Sequence, residues 1–188
     1  MTRRNTLVRT LHDLGLAAWF GGSLMGAVGL NGAAEEVGGR TRTAKVASAG
    51  WAKWAPVNAV AIGAHLVGAA GIAMANRDRV RKQKGVLAST VAKTVFTGLA
   101  LAATAYSRVL GKKIEMASSS DSTTTERAEE LPIPVEQAQQ QLRYLQWSIP
   151  VLTGAMELLN ALHGEQQRPD EQWRGRLEKA RARLAASV

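Results

Sequence analysis

Residues 14–34 and 54–76 carry no charge, in a chain where 21% of residues are Asp, Glu, Lys or Arg. A helix needs about 20 mostly apolar residues to cross the roughly 30 Å hydrocarbon core of a bilayer. Each run is long enough, so the chain reads as an integral membrane protein. Its near-zero mean hydropathy averages apolar spans with very polar connections, and only a window-by-window reading separates the two.

Two further stretches have the same length, each interrupted by one charge: residues 86–106 contain Lys93, and residues 144–163 contain Glu157. The expected fold is an all-α bundle of four transmembrane helices, over about 12–33, 54–76, 86–106 and 144–163. These make residues 1–164 one domain. Residues 107–143 form an outer polar loop, Ser/Thr-rich over 118–125 and there expected to be disordered. Val135 onward looks helical and leads into the fourth span, which Pro150 is expected to kink. Residues 165–188 read as a basic tail with Trp173, Leu177, Leu184 and Val188 on one face of an amphipathic helix, lying on the inner membrane surface.

Orientation follows from the basic residues. The N-terminal segment, the link between spans two and three, and the tail hold 14 Lys and Arg in short segments; the opposite side holds nine in longer loops. The positive-inside rule then puts both termini in the cytoplasm of a bacterial plasma membrane. The net charge of +9 is explained by attraction to anionic inner-leaflet lipid, without nucleic acid. The start, Thr2-Arg-Arg-Asn-Thr-Leu-Val8, resembles a twin-arginine export signal. The apolar run behind it is longer than such signals carry, which favours an uncleaved first span. Trp51, Trp54, Tyr106, Tyr144 and Trp147 fall at one expected depth, the outer interface, where amphipathic rings are favoured. Trp173 is placed at the inner one.

Small residues at four-residue steps allow helices to pack closely in lipid. Ala18, Gly22 and Gly26 mark such a face on span one; Gly63 and Gly71, with Ala64 and Gly68 beside them, mark two on span two. They predict a tight contact of spans one and two, or a contact with another copy or partner.

Charges at membrane depth are costly and face the bundle interior. Lys93 and Glu157 lie roughly 10 Å and 9 Å from the cytoplasmic ends of their helices at 1.5 Å per residue, so an interhelical ion pair is expected. Left unpaired, Lys93 would snorkel to the inner interface and Glu157 would be protonated or solvated. Ser89 and Thr97 beside Lys93, and Thr153 and Asn160 beside Glu157, could complete a polar network. His12 and His163 share a depth near the cytoplasmic ends of spans one and four, while His65 lies near the midplane. Together they are candidate haem or metal ligands, with Asp13 placed to orient His12. The chain has no Cys, which excludes disulfides and thiolate sites.

The segment His12-Asp-Leu-Gly-Leu-Ala-Ala-Trp19-Phe20-Gly21-Gly22 resembles the first helix of copper-resistance D-type membrane proteins and related small bundles, a His followed seven residues later by Trp-x-Gly-Gly. The resemblance covers about eleven residues and implies a multi-span bundle, with His12 as a candidate ligand for copper or haem b.

No nucleotide loop, Ser/His/Asp set or carboxylate pair stands out. The expected function is therefore non-enzymatic and free of cofactor: an accessory subunit packing with other membrane proteins or copies of itself. The alternatives are a haem- or copper-binding protein using His12, His163 or His65, and a proton-coupled carrier or channel using Lys93 and Glu157.

Overall fold

The computed structural model describes residues 6–82, 84–119, 122–129 and 132–166, without the side chains of 78–86, 122–123, 127 and 163–166. The expected tail, with Trp173, lies outside the described residues, as does the side chain of His163. Every regular element among the described residues is helical: α1 (Thr6–Met25), a π turn (Gly26–Leu30), α2 (Asn31–Glu36), α3 (Arg40–Lys82), α4 (Lys84–Ala117), α5 (Ser122–Glu129) and α6 (Val135–Gln166). α1, the π turn and α2 run on as one helical rod. Gly38 and Gly39, at φ of 70° and 83°, then reverse the chain into α3, in a backbone region open to glycine.

Among the described residues three helical stretches are long and apolar enough to cross a membrane: Thr6–Glu36, Arg40–Arg77 and Leu87–Ala117. They contain the first two expected spans and all but Val86 of the third. The fourth falls in α6, which is not among the three. Gln146, Thr153, Glu157 and Asn160 dilute its apolar character. α6 nevertheless packs lengthwise on α4 and α1.

α1 meets α3, α3 meets α4, α4 meets α6, and α6 closes back on α1. Contacts such as Trp54 at Gly22, Thr97 with Met156 and Asn31 with Gln146 run antiparallel. Among the described residues these long helices thus contact one another in a closed circuit with antiparallel neighbours. Its central layer is Leu16, Trp19, Ala100, Ala103, Ile149 and Met156, all buried.

The elements outlast the apolar runs. At 1.5 Å per residue, the 43 residues of α3 make a rod of about 65 Å, far longer than the hydrocarbon core. Much of the expected outer loop is helical as well. α4 continues to Ala117, and α5 begins inside the Ser/Thr-rich stretch expected to be disordered and takes up its second half, residues 122–125. That stretch holds a helix because α5 lies on α4 and fully buries Ala128, a tertiary contact that outweighs weak local propensity. Both α3 and α6 pass through an internal proline, Pro56 and Pro150, as single helices.

The α1–α3 seam uses glycine in two ways. A Cβ on Gly15 would come within 2.5 Å of Ala61 O and His65 N. A Cβ on Gly68 would collide with the backbone of Val8 and His12, and one on Gly71 with the Val8 side chain. Here the two backbones touch. Further along, Gly22 and Gly26 instead make room for the rings of Trp54 and Trp51, and Gly50 for Leu30. The expected tight contact of spans one and two is present through Gly22, Gly26, Gly68 and Gly71. Ala18 is exposed and Gly63 faces open space, so those two lie outside the seam. Ala64 is half-buried. Gly15, which makes the closest approach, was missing from the expected face.

Candidate functional site

α1 buries His12, Gly15, Leu16, Trp19 and Ser23, a stripe at steps of three and four residues, as one face of a helix requires. His12 therefore occupies a position that an apolar residue would fill in an ordinary core helix. Asp13, one residue on, is largely exposed, and its Oδ1 lies 2.8 Å from His12 Nδ1. This is the orienting contact expected for Asp13.

His65 comes from the opposing face of α3 and is 2% exposed. Its Nδ1 lies 3.2 Å from the backbone oxygen of His12. A carbonyl only accepts, so Nδ1 of His65 carries the proton and Nε2 is left as an acceptor. That reach across the seam depends on Gly15 and Gly68, which bring the two backbones together. The two imidazoles lie 4.5 Å apart, tilted by 40°, and Trp19 meets His65 edge-on at 6.2 Å. Both histidines are thus held through Nδ1, the arrangement in which an imidazole presents Nε2 outward as a metal ligand does. Nε2 of His65 is buried without a partner.

Among the described side chains, His65 is the histidine that meets His12; His163, expected at the same depth as His12, has its side chain outside them. The antiparallel crossing of α1 over α3 brings a residue from nearer the midplane to the same level.

Lys93 on α4 and Glu157 on α6 are half-buried, and no ion pair joins them among the described residues. The charge that reaches both is Asp13 on α1; Glu157 is also within the field of His12. Oε1 of Glu157 and Nδ2 of Asn160, three residues apart on one face of α6, are buried without hydrogen-bond partners. Similar depth is therefore not enough for an ion pair, even though Lys93 stands one turn before Thr97, which meets Met156 on α6.

Thr97 and Thr153, expected in a polar network around Lys93 and Glu157, bond mainly to the backbone of their own helices. Thr97 Oγ1 lies 3.1 Å from Met156 Sδ across the α4–α6 seam and 2.8 Å from its own helix at Lys93 O. Thr153, fully buried, bonds back to Ile149 O at 2.8 Å, which satisfies the hydroxyl locally and ties it to no neighbour. Ser89 is half-buried.

The aromatic residues divide. Tyr106, Tyr144 and Trp147 are exposed as expected of interfacial rings, with Tyr106 donating to Gln141 Oε1 at 2.7 Å. Trp51 and Trp54 turn into the bundle. Trp51 donates to Asn31 Oδ1 at 3.0 Å, and Asn31 donates to Gln146 Oε1 at 2.8 Å. Asn31, Asn58 and Gln146 had no place among the expected site residues. Their signal was a polar residue within or beside a charge-free run, the feature that singled out His65.

The chain matches no known family model, no curated protein and no solved structure. Among the described residues no group of three His, Cys, Asp or Glu is placed to hold a metal ion.

Proposed function

We propose that the chain is a four-span protein of the bacterial plasma membrane, with α6 as the fourth span and both termini cytoplasmic. It has no catalytic activity of its own and works as an accessory subunit that packs against other membrane proteins. The observation that carries this reading is the set of glycines facing away from the bundle. A Cβ on Gly21 of α1, Gly63 of α3 or Gly98 of α4 would meet nothing within 4 Å. Gly21 and Gly98 each have an exposed alanine four residues away on the same face, Ala17 and Ala102, and Gly63 has exposed Ala70 seven residues on. In lipid, where the hydrophobic effect does not join helices, such small-residue pairs let another helix approach closely.

Cysteine placed at Gly63 or Gly21 should cross-link to a second helix in native membranes. Gly63→Leu should abolish that capture while the thermal midpoint of the purified chain stays the same. A chain that remains monomeric in its native membrane, or a complex indifferent to Gly63→Leu and Gly21→Leu, would overturn the reading.

The paired histidines favour a second reading: a single copper ion held by Nε2 of His12 and His65. Its support is the anchoring of both rings through Nδ1. Copper titration of the purified protein, followed by X-ray absorption, should report nitrogen ligation that His65→Ala removes.

A further inference from the structure

The two halves of the bundle differ in what fills them. In the half away from the histidines, α3 and α4 stand apart around a largely apolar cavity of about 490 Å³, whose walls select no occupant. In the half that holds the histidines, three helices bring ionisable side chains to one level.

Contacts across two seams fix that level. On the α4–α6 seam Thr97 meets Met156. The two helices run antiparallel, so one turn back along α4 faces one turn on along α6. Lys93 therefore comes opposite Asn160, with Glu157 beside it. On the α1–α6 seam Phe20 packs over Gly154. Seven residues make nearly two full turns, so Asp13 lies on the same side of α1 as Phe20. Two turns from that contact, it too faces the level of Asn160. The charged or titratable side chains around Glu157 are thus Lys93 on α4 and Asp13 with His12 on α1. α3 does not pack on α6 among the described residues.

The charge state of Glu157 follows from these surroundings. Its Oε1 is buried, with neither a protein donor nor surface open to water. Lys93 forms no ion pair with it in this packing, and Asp13, whose charge reaches it, has the same sign. A carboxylate there would be an ion withdrawn from water without donor or counter-charge, far costlier than the neutral acid. The packing seen therefore suits Glu157 with its proton on. Loss of that proton creates a demand for donors, and two are close by. One is Nδ2 of Asn160, buried without an acceptor three residues on. The other is Nζ of Lys93, carried on a long flexible stem.

We propose that Glu157 is a proton-binding switch. Protonated, it leaves α4 and α6 packed as described; on release of the proton to water, the carboxylate takes Lys93 Nζ and Asn160 Nδ2 as partners and closes an ion pair across the seam. The proposal rests on how α6 packs between α1 and α4, and on neither the accessory role nor the copper reading.

The test is infrared difference spectroscopy of the full chain in lipid nanodiscs. At about pH 7 a glutamate in water, with its ordinary value of about 4.3, is ionised. The wild type should nevertheless show the carbonyl stretch of a protonated carboxyl there. Glu157→Gln should lose that band and Asp13→Asn should keep it. Raising the pH should remove the band, and Lys93→Met should retain it to a pH about one unit higher, a tenfold tighter grip on the proton, because the carboxylate has lost its cation. If Glu157→Gln does not fold, heavy-carbon labelling of the glutamate carboxyls in the wild type decides, since it moves the band of a protonated glutamate and not of an aspartate. A wild type without the band at about pH 7, a band that survives Glu157→Gln, or a band whose loss is indifferent to Lys93→Met would overturn the proposal.

Discussion

The two ends of the α1–α3 seam are built from the same residue and come out differently. At the histidine end, glycine faces backbone. Gly15 and Gly68 let the helices touch, and the contact is close enough for a side chain of one helix to bond the main chain of the other. At the cavity end, glycine faces tryptophan. Gly22 and Gly26 accept the rings of Trp54 and Trp51, and the space near those rings opens into the cavity between α3 and α4. A small residue therefore does not by itself specify close packing; what it meets across the seam decides.

That comparison can be broken most directly by adding one methyl group. Gly15→Ala and Gly68→Ala push Cβ into atoms that cannot swing aside, and each should cost about 3 kcal/mol, the upper end of overpacking, read as a lowered thermal midpoint in detergent. A cost below about 0.5 kcal/mol, the level of a neutral surface change, would show that the seam is looser than described. Next in size is Asn31→Leu at the cavity end. It removes the bonds to Trp51 and Gln146 and should cost about 1–2 kcal/mol, given the modest worth of such bonds in membranes. Gly22→Ala should cost only about 1 kcal/mol, because the Trp54 ring can shift toward the neighbouring cavity. An equal penalty at Gly15 and Gly22 would erase the distinction between the ends. The smallest effect is expected at Lys93→Met. With no ion pair to lose, the midpoint should move by less than about 0.5 kcal/mol. A large loss would restore a structural role for that charge.

The class of fold was legible because bilayer thickness converts directly into a count of apolar residues, and residues 14–34 and 54–76 meet that count unaided. The hairpin of the second and third spans was legible for a similar reason: only residues 77–85 are left to link them. The site was legible only by depth. Lys93 and Glu157 were matched by distance from the helix ends, but an ion pair also needs the reach of both side chains across the seam and the angle of crossing. Neither can be read from one helix at a time. Asp13 is the exception, since its contact with His12 is set by adjacency in the chain. The cavity was not legible at all. It arises where two neighbours in the circuit fail to meet, and a failure to meet leaves no pattern in either helix.

The π turn at Gly26–Leu30 has a consequence for how the first rod is phased. It is closed by the Asn31 N–H on Gly26 O, an i→i+5 bond that holds one residue more than an α turn. One extra residue retards everything after it by about 100°. Continued as a plain α-helix from His12, the rod would carry Leu30 on its inner line and leave Asn31 on the flank. The wide turn brings Asn31 inward, to Trp51 and Gln146. The first span thus works as two keys cut on one shaft, offset by a single residue. A deletion anywhere within the five would rotate the second key out of its lock while leaving the first untouched.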